Sequence, residues 1–231
     1  MLAQPDPDNP GLIKLWHCHS ARSLRPLWAL EEMGLAYQLE VLAFPPRVFH
    51  KEYFEVNVLG TVPFFDDGEA QMTESVAICQ YLVARYQQYP LGLEVEHPEY
   101  ADYLNWLSQS DATLTFPLAV ALRYSLVEPQ ERRLPQASED YARWFLARLR
   151  RLDRHIQARE FLVAERFTIA DIAIGYALHF GSILGLDVHY TPQVKAYLER
   201  LRARPGFQRA DRQGADQNPF KGIRLQLLDQ P

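Results

Sequence analysis

The sequence predicts an α/β unit followed by an all-helical unit, and three observations predict it. Apolar–polar alternation of the kind a half-buried strand shows is confined to the part before Gln87. A hairpin signal, Asp67-Gly68, separates Val62–Asp66 from Glu69–Met72. Beyond Pro98 only helical periodicity remains. At 231 residues and about 150 residues per domain, the chain has room for one large or two small domains.

Residues 1–11 carry three prolines and no apolar periodicity, which predicts a flexible leader. Leu12–Trp16 predicts a short strand. From Ser23 to Met33, Leu24, Leu27, Trp28 and Leu30 recur at helical spacing, with Gly34 as the stop. Tyr37–Val41 alternates as a half-buried strand. Pro45-Pro46 interrupts the chain before an irregular helical segment around Val48–Phe54. After the hairpin, a helix from Glu74 to about Tyr86 takes its apolar side from Val76, Ile78, Cys79, Tyr81 and Leu82. The order is β-α-β-α-β-β-α. A linker runs from Gln87 through the acidic Glu94–His97 stretch to Pro98, and helices are expected over 99–126, 138–158, 169–184 and 192–203. Pro117 removes one backbone donor and predicts a kink. Residues 209–231 are polar to Pro219, then carry the short apolar stretch Ile223–Leu228, which predicts a tail lying on the body. The boundaries read from the sequence are 12–88, 98–208 and a tail over 209–231.

Lysine plus arginine number 24 against 29 acidic residues, a net charge of −5. That balance argues against nucleic acid as the main partner, because phosphate binding wants a basic surplus. Hydrophobic residues at 48% and charged ones at 23% fit a folded soluble protein rather than a disordered one. No apolar run approaches the ~18–20 residues that a membrane-spanning helix needs, and the first ten residues lack the basic and apolar regions of a signal peptide. Two cysteines, Cys18 and Cys79, do not make a disulfide framework. The expectation is a cytoplasmic protein with reduced thiols and no membrane partner.

Three short segments carry the functional signal. Asn57-Val58-Leu59-Gly60-Thr61-Val62-Pro63 precedes the hairpin, Met72-Thr73-Glu74-Ser75-Val76-Ala77-Ile78 opens a helix, and Thr168-Ile169-Ala170-Asp171 opens another. Each has a purely structural reading. Val62-Pro63 reads as a trans proline at a strand entrance. Thr73 reads as a helix cap with Glu74 complementing the dipole. Thr168 and Asp171 form a capping pair. In this order, and together with Leu15–Gly34, the segments resemble the cytosolic glutathione transferase superfamily over roughly residues 12–208.

The resemblance implies a thioredoxin-like N-terminal domain and an all-α helical C-terminal domain. It implies a cis Val62–Pro63 bond, with the Val62 backbone pairing to the cysteinyl backbone of glutathione. The γ-glutamyl α-carboxylate would rest on the helix N-terminus and the Ser75 hydroxyl, and its α-amino group on Glu74. Thr61 stands where many relatives carry lysine, and His50 and Lys51 are candidates for the glycine carboxylate. Glutathione as co-substrate, a small electrophile as second substrate, no metal and a homodimer are the further implications. The second substrate is expected between the domains, with Asn105, Trp106, Gln109, Thr113 and Phe116 sharing a helix face. Core packing is the alternative for Trp106 and Phe116.

That family activates the thiol with Tyr, Ser or Cys just before the first helix. Here the turn reads Trp16-His17-Cys18-His19-Ser20-Ala21-Arg22-Ser23-Leu24-Arg25. It holds no tyrosine, which argues against the Tyr-type mechanism. Counting five residues back from Arg25, as in several Ser- and Cys-type classes, reaches Ser20, with Arg22 as a nearby charge. Ser23 takes the place of the second cysteine in a redox C-x-x-C pair. Ser20 has a turn or capping serine as its alternative. Cys18 is either a nucleophile for thiol transfer, which would make the protein a deglutathionylating enzyme, or a small apolar residue at a strand end. Cys79 reads as packing. His17 and His19 read as turn residues, since no second ligand cluster accompanies them. A protein that binds glutathione without turnover is the rival from another class.

Overall fold

The computed structural model describes residues 12–86, 90–221 and 227–228. The expected leader over 1–11, linker residues 87–89 and most of the 223–228 stretch lie outside the described residues. The chain divides into two compact units, the first holding 12–86 with 203–221 and the second holding 90–202.

The first unit is built on a four-stranded mixed sheet of order β2-β1-β3-β4. Its elements are β1 (Ile13–His17), α1 (Leu24–Met33), β2 (Tyr37–Val41), α2 (Pro46–Phe49), a 3-10 turn (Lys51–Glu55), β3 (Phe64–Asp66), β4 (Gln71–Met72) and α3 (Ser75–Arg85). β1 runs parallel to β2 and antiparallel to β3, so Leu15 lies beside Leu39 and Phe65. The strand period of two sends Leu15 and Phe65 to one face, where Phe65 meets Tyr81 of α3 edge-on at 5.8 Å. Trp16 and Phe64 go to the other face, where Phe64 joins Cys18, Leu42 and Tyr53 in one buried cluster. Gly34 ends α1 in the left-handed conformation at φ 65°. The hairpin turns at Gly68, φ 83°. Both Val62–Pro63 and Phe44–Pro45 are cis; the first was expected and the second was not.

The last helix of this unit, α9 (Pro205–Arg212), corrects the sequence reading, which ran the helical domain to 208 and left 209–231 as a tail. α9 lies on α1. Phe207 meets Trp28 edge-on at 5.0 Å, and Trp28 is fully buried. Arg204 forks onto Glu32 with two bonds of 2.8 Å, and Arg209 reaches Glu31 at 2.6 Å. Burying a large apolar side chain is worth ~1.5–3 kcal/mol, whereas a pair as exposed as Arg209–Glu31 contributes about 0–1. Apolar burial therefore holds α9 down, and the ion pairs set its register. The approach is close at Gly206, where a Cβ would sit 2.6 Å from the Glu32 side chain and would have to displace it.

The second unit is all helix: α4 (Tyr100–Gln109), α5 (Phe116–Leu122), α6 (Pro135–His155), α7 (Ile169–Ile183) and α8 (Pro192–Arg202). The kink expected at Pro117 takes the form of a π-wound stretch, Ser110–Thr115, between α4 and α5. The Thr115 hydroxyl donates to the Ser110 carbonyl at 2.7 Å, and the Ser110 hydroxyl donates to that of Leu107 at 2.7 Å. Residues 90–92 belong here rather than to a free linker, because the Ile169 N–H donates to the Leu91 carbonyl at 2.8 Å. α7 is buried nearly all round. The Thr168 hydroxyl accepts from the Ala170 N–H at 3.3 Å, and Asp171 accepts from the Thr168 N–H at 2.8 Å. The other Asp171 oxygen accepts from the Leu162 N–H at 3.0 Å and the Tyr197 hydroxyl at 2.7 Å.

Burial outweighs these hydrogen bonds and lifts the Asp171 carboxyl from its ordinary 3.8 to about 6. A carboxyl raised in the folded state stabilises the fold fully below pH 3.8 and loses that contribution as pH rises through 6. Asp171→Asn should remove a pH-dependent stability difference of about 3 kcal/mol between those limits. Urea midpoints of both proteins between pH 3.5 and 7 measure it; parallel curves would refute the assignment.

Candidate active site

Two of the three loops singled out in the first unit hand a strand to a helix, β1 to α1 and β4 to α3, and the third, Asn57–Pro63, leads from the 3-10 turn into β3. The turn after β1 is held from inside. The Ser23 hydroxyl contacts His17 Nδ1 at 2.8 Å and accepts from the Cys18 N–H at 3.3 Å, and Ser23 is fully buried. Ser23 is thus committed to fastening the turn. Burial, helped by the neighbouring His19, drives His17 down to about 3, so its imidazole is neutral at physiological pH. His19 closes the turn against the C-terminal segment through a 3.2 Å contact of Nδ1 with the Gln213 carbonyl. Among the described residues no three His, Cys, Asp or Glu side chains gather into a metal-binding group.

Ser20 stands at the apex of this turn with φ 64°. A non-glycine residue in the left-handed region is uncommon and concentrates at functional sites. Arg22 is half-buried two residues on, at the entrance to α1. Cys18 is different. It is fully enclosed by Leu42, Tyr53 and Phe64, and burial pushes its thiol up to about 12. The thiolate fraction at pH 7 is then about 10⁻⁵, too little for a nucleophile. Cys79 is equally enclosed in α3, as its apolar spacing predicted.

The helix α3 opens without a cap. Neither Thr73 nor Glu74 supplies a side-chain hydrogen bond to its first turn, so the capping reading of Thr73 is not what the structure holds. The Glu74 carboxylate is exposed and makes no hydrogen bond among the described residues. Ser75, the first helical residue, is buried, and its oxygen accepts from Arg25 Nη1 at 3.0 Å. Free N–H groups, a serine hydroxyl and a loose carboxylate meet at the positive end of the helix dipole, which favours an amino-acid-like ligand with an anionic and a cationic end.

The remaining candidates fall in several settings. His50 is half-buried; its Nε2 accepts from the Ala43 N–H at 3.2 Å and its Nδ1 faces Glu52 at 3.2 Å. Lys51 is exposed. In the helical unit, Trp106 is fully buried, with the Arg151 guanidinium 4.6 Å from its ring and His155 at 5.0 Å. Gln109 accepts from Arg151 at 3.0 Å, and the Asn105 amide oxygen turns to the same guanidinium. Arg151 of α6 thus contacts all three of these α4 side chains. Thr113 is half-buried, and Phe116 is 54% exposed.

The family description "Glutathione S-transferase, N-terminal domain" matches residues 19–85, and "Glutathione S-transferase, C-terminal domain" matches 117–205. The chain is 26% identical over 198 residues to glutathione S-transferase A of Pleuronectes platessa, covering 84% of this chain and 88% of that one. It is 26% identical over 214 residues to a zeta-class glutathione S-transferase of Euphorbia esula, covering 91% and 94%. Among solved structures, a glutathione transferase of Methylococcus capsulatus superposes with TM-score 0.78 at 24% identity, covering 88% of this chain and 98% of that one. The glutathione transferase URE2P6 of Phanerochaete chrysosporium, solved in complex with oxidised glutathione, gives 0.77 at 25%, covering 90% and 98%.

Asn57 and Tyr53 shape the loop before Val62, and the sequence reading passed over both as functional residues. The Thr61 carbonyl accepts from Asn57 Nδ2 at 2.8 Å and from the Tyr53 hydroxyl at 2.9 Å, while Asn57 Oδ1 accepts from the Leu59 N–H at 3.1 Å. Gly60 sits at φ 58°, where a Cβ would meet the Phe54 ring at 2.7 Å. Asn57→Ala takes one of these two donors from the part-buried Thr61 carbonyl and the side-chain acceptor from the Leu59 N–H, and should cost ~1–3 kcal/mol, against ~0.5–1.5 for Tyr53→Phe. Denaturant unfolding of the two variants checks the order; equal, negligible losses would mean the loop holds itself by backbone alone.

Proposed function

The chain belongs to the glutathione S-transferase superfamily, and we propose that it activates the thiol of glutathione for attack on a small electrophilic substrate. The observation that carries this reading is the start of α3, which has no side-chain cap, with an exposed Glu74 that makes no hydrogen bond among the described residues beside the Ser75 hydroxyl. There the γ-glutamyl carboxylate would take the first-turn N–H groups and the serine hydroxyl, and its ammonium would take Glu74. The Val62 backbone and Pro63 would line the cysteinyl part, with Thr61 beside them. Lys51 and His50 would meet the glycine carboxylate.

Held in this way, the tripeptide would bring its thiol to the turn at Ser20. Lowering a thiol from about 8.5 by one unit takes ~1.4 kcal/mol of selective thiolate stabilisation. A hydroxyl donor at Ser20, the N-terminus of α1 and the Arg22 guanidinium are together enough for one to two units. The freed proton leaves to solvent, and the thiolate sulfur forms the new bond to the electrophilic carbon as the leaving group departs. Cys18, enclosed and protonated, does not favour the thiol-exchange alternative. A homodimer is part of the proposal, and the exposed apolar residues Val48, Phe49, Val58 and Leu59 offer surface for it.

Ser20→Gly removes the hydroxyl while keeping the left-handed backbone comfortable. It should raise the apparent thiol pKa of bound glutathione by about one unit and lower turnover with an aryl halide about tenfold near neutral pH. Cys18→Ala should keep turnover within about twofold, since a core thiol contributes packing only. The ultraviolet thiolate band titrated against pH, with steady-state rates, reads both. An unshifted titration for Ser20→Gly, or activity abolished by Cys18→Ala, would reverse the assignment. Glu74→Ala should weaken glutathione binding by ~1–3 kcal/mol in calorimetry; unchanged affinity would count against the α3 site.

A further inference from the structure

We infer that Arg25 is a positioning residue for the γ-glutamyl carboxylate and acts through Ser75, an inference that rests on the glutathione reading above. Arg25 is the second residue of α1 and is completely buried. A guanidinium taken out of water is costly unless its hydrogen bonds are met. One of them goes across to α3, where Nη1 donates to Ser75 Oγ at 3.0 Å.

The direction of that bond matters. Because the Ser75 oxygen accepts from a cation, the hydroxyl hydrogen is left to donate elsewhere, and among the described residues it meets no acceptor. An O–H whose oxygen already accepts a charge-assisted bond is a stronger donor than an isolated one. Ser75 is also the first residue of α3, an eleven-residue helix whose first turn has no side-chain cap. The polarised hydroxyl, the free N–H groups and the helix dipole therefore all favour negative charge at the same place. Arg25 reaches that place without touching the ligand. Its charge is also felt deeper in α3, where it draws the Cys79 thiol back down against the effect of burial. Glu74, exposed and next in the chain, supplies the opposite preference for the ammonium, so the two ends of one α-amino acid are told apart by adjacent residues.

The test compares glutathione with its analogue lacking the α-carboxylate, 4-aminobutyryl-cysteinylglycine, by calorimetry on the full-length protein. Wild type should prefer glutathione, and Arg25→Gln should reduce that preference about tenfold. Arg25→Lys should keep the preference within about threefold, since one ammonium N–H can make the single contact to Ser75. Ser75→Ala should lose the preference as well, and the double variant Arg25→Gln with Ser75→Ala should lose little more than either alone. A merely structural Arg25 would lower both affinities together and leave their ratio intact, and that result overturns the inference. A preference that survives Ser75→Ala overturns it too, whether or not the Arg25 variants fold. If wild type binds no glutathione, the functional reading itself has failed; if wild type shows the preference and only the Arg25 variants leave it unmoved, the failure belongs to this inference alone.

Discussion

Every helix begins with N–H groups that have no partner of their own, and how this chain answers that constraint divides its two principal helix starts. At α7 the answer is internal. Thr168 and Asp171 satisfy the entry, and Asp171 then ties in Leu162 and Tyr197. At α3 no side chain among the described residues caps the first turn. Backbone donors in a folded protein find partners in protein or solvent, and a helix start left open beside a buried guanidinium is a standing preference for an anion. The first arrangement is closed by its own side chains and the second is left open. The same short sequence pattern, a threonine near an acidic residue, stands at both.

That similarity explains what the sequence could and could not reveal. The strands, the hairpin and the long helices were legible because their apolar periods and their stops, Gly34 and Gly68, are local properties of the chain. The Thr168–Asp171 pair was legible for the same reason, being complete within four residues. Thr73 and Glu74 were ambiguous because capping and ligand binding ask for the same residue types, and only the absence of a side-chain bond to the first turn of α3 separates the two. Arg25 served only as a landmark for counting. Nothing in its neighbours announces a contact with a residue fifty positions away. Asn57 lay inside a quoted motif, yet its amide bonds to Thr61 become visible only once the loop has closed.

Cysteine and histidine in the first turn show the opposite limit. Cys18 between two histidines has the composition of a reactive thiol, but burial by Leu42, Tyr53 and Phe64 reverses that chemistry. The residue types suggested reactivity, and the desolvation that removes it comes from side chains 24 to 46 residues away. Ser23 is a similar case. Its hydroxyl is consumed by His17 and the Cys18 backbone, while Ser20, also buried, holds the uncommon backbone conformation at the apex of the turn.

The return of α9 to α1 has a consequence for how the molecule is made. The sheet-containing unit is discontinuous in the chain: its first part is synthesised early, and the helix that covers Trp28 is encoded near residue 205. During synthesis, the five helices of the second unit must all emerge before Phe207 and Arg204 are available to the face of α1. A ribosome delivers about 5–20 residues per second, so that face stays uncovered for roughly 10–30 seconds. The sheet-containing half of the protein, although it is translated first, is therefore the half that is finished last.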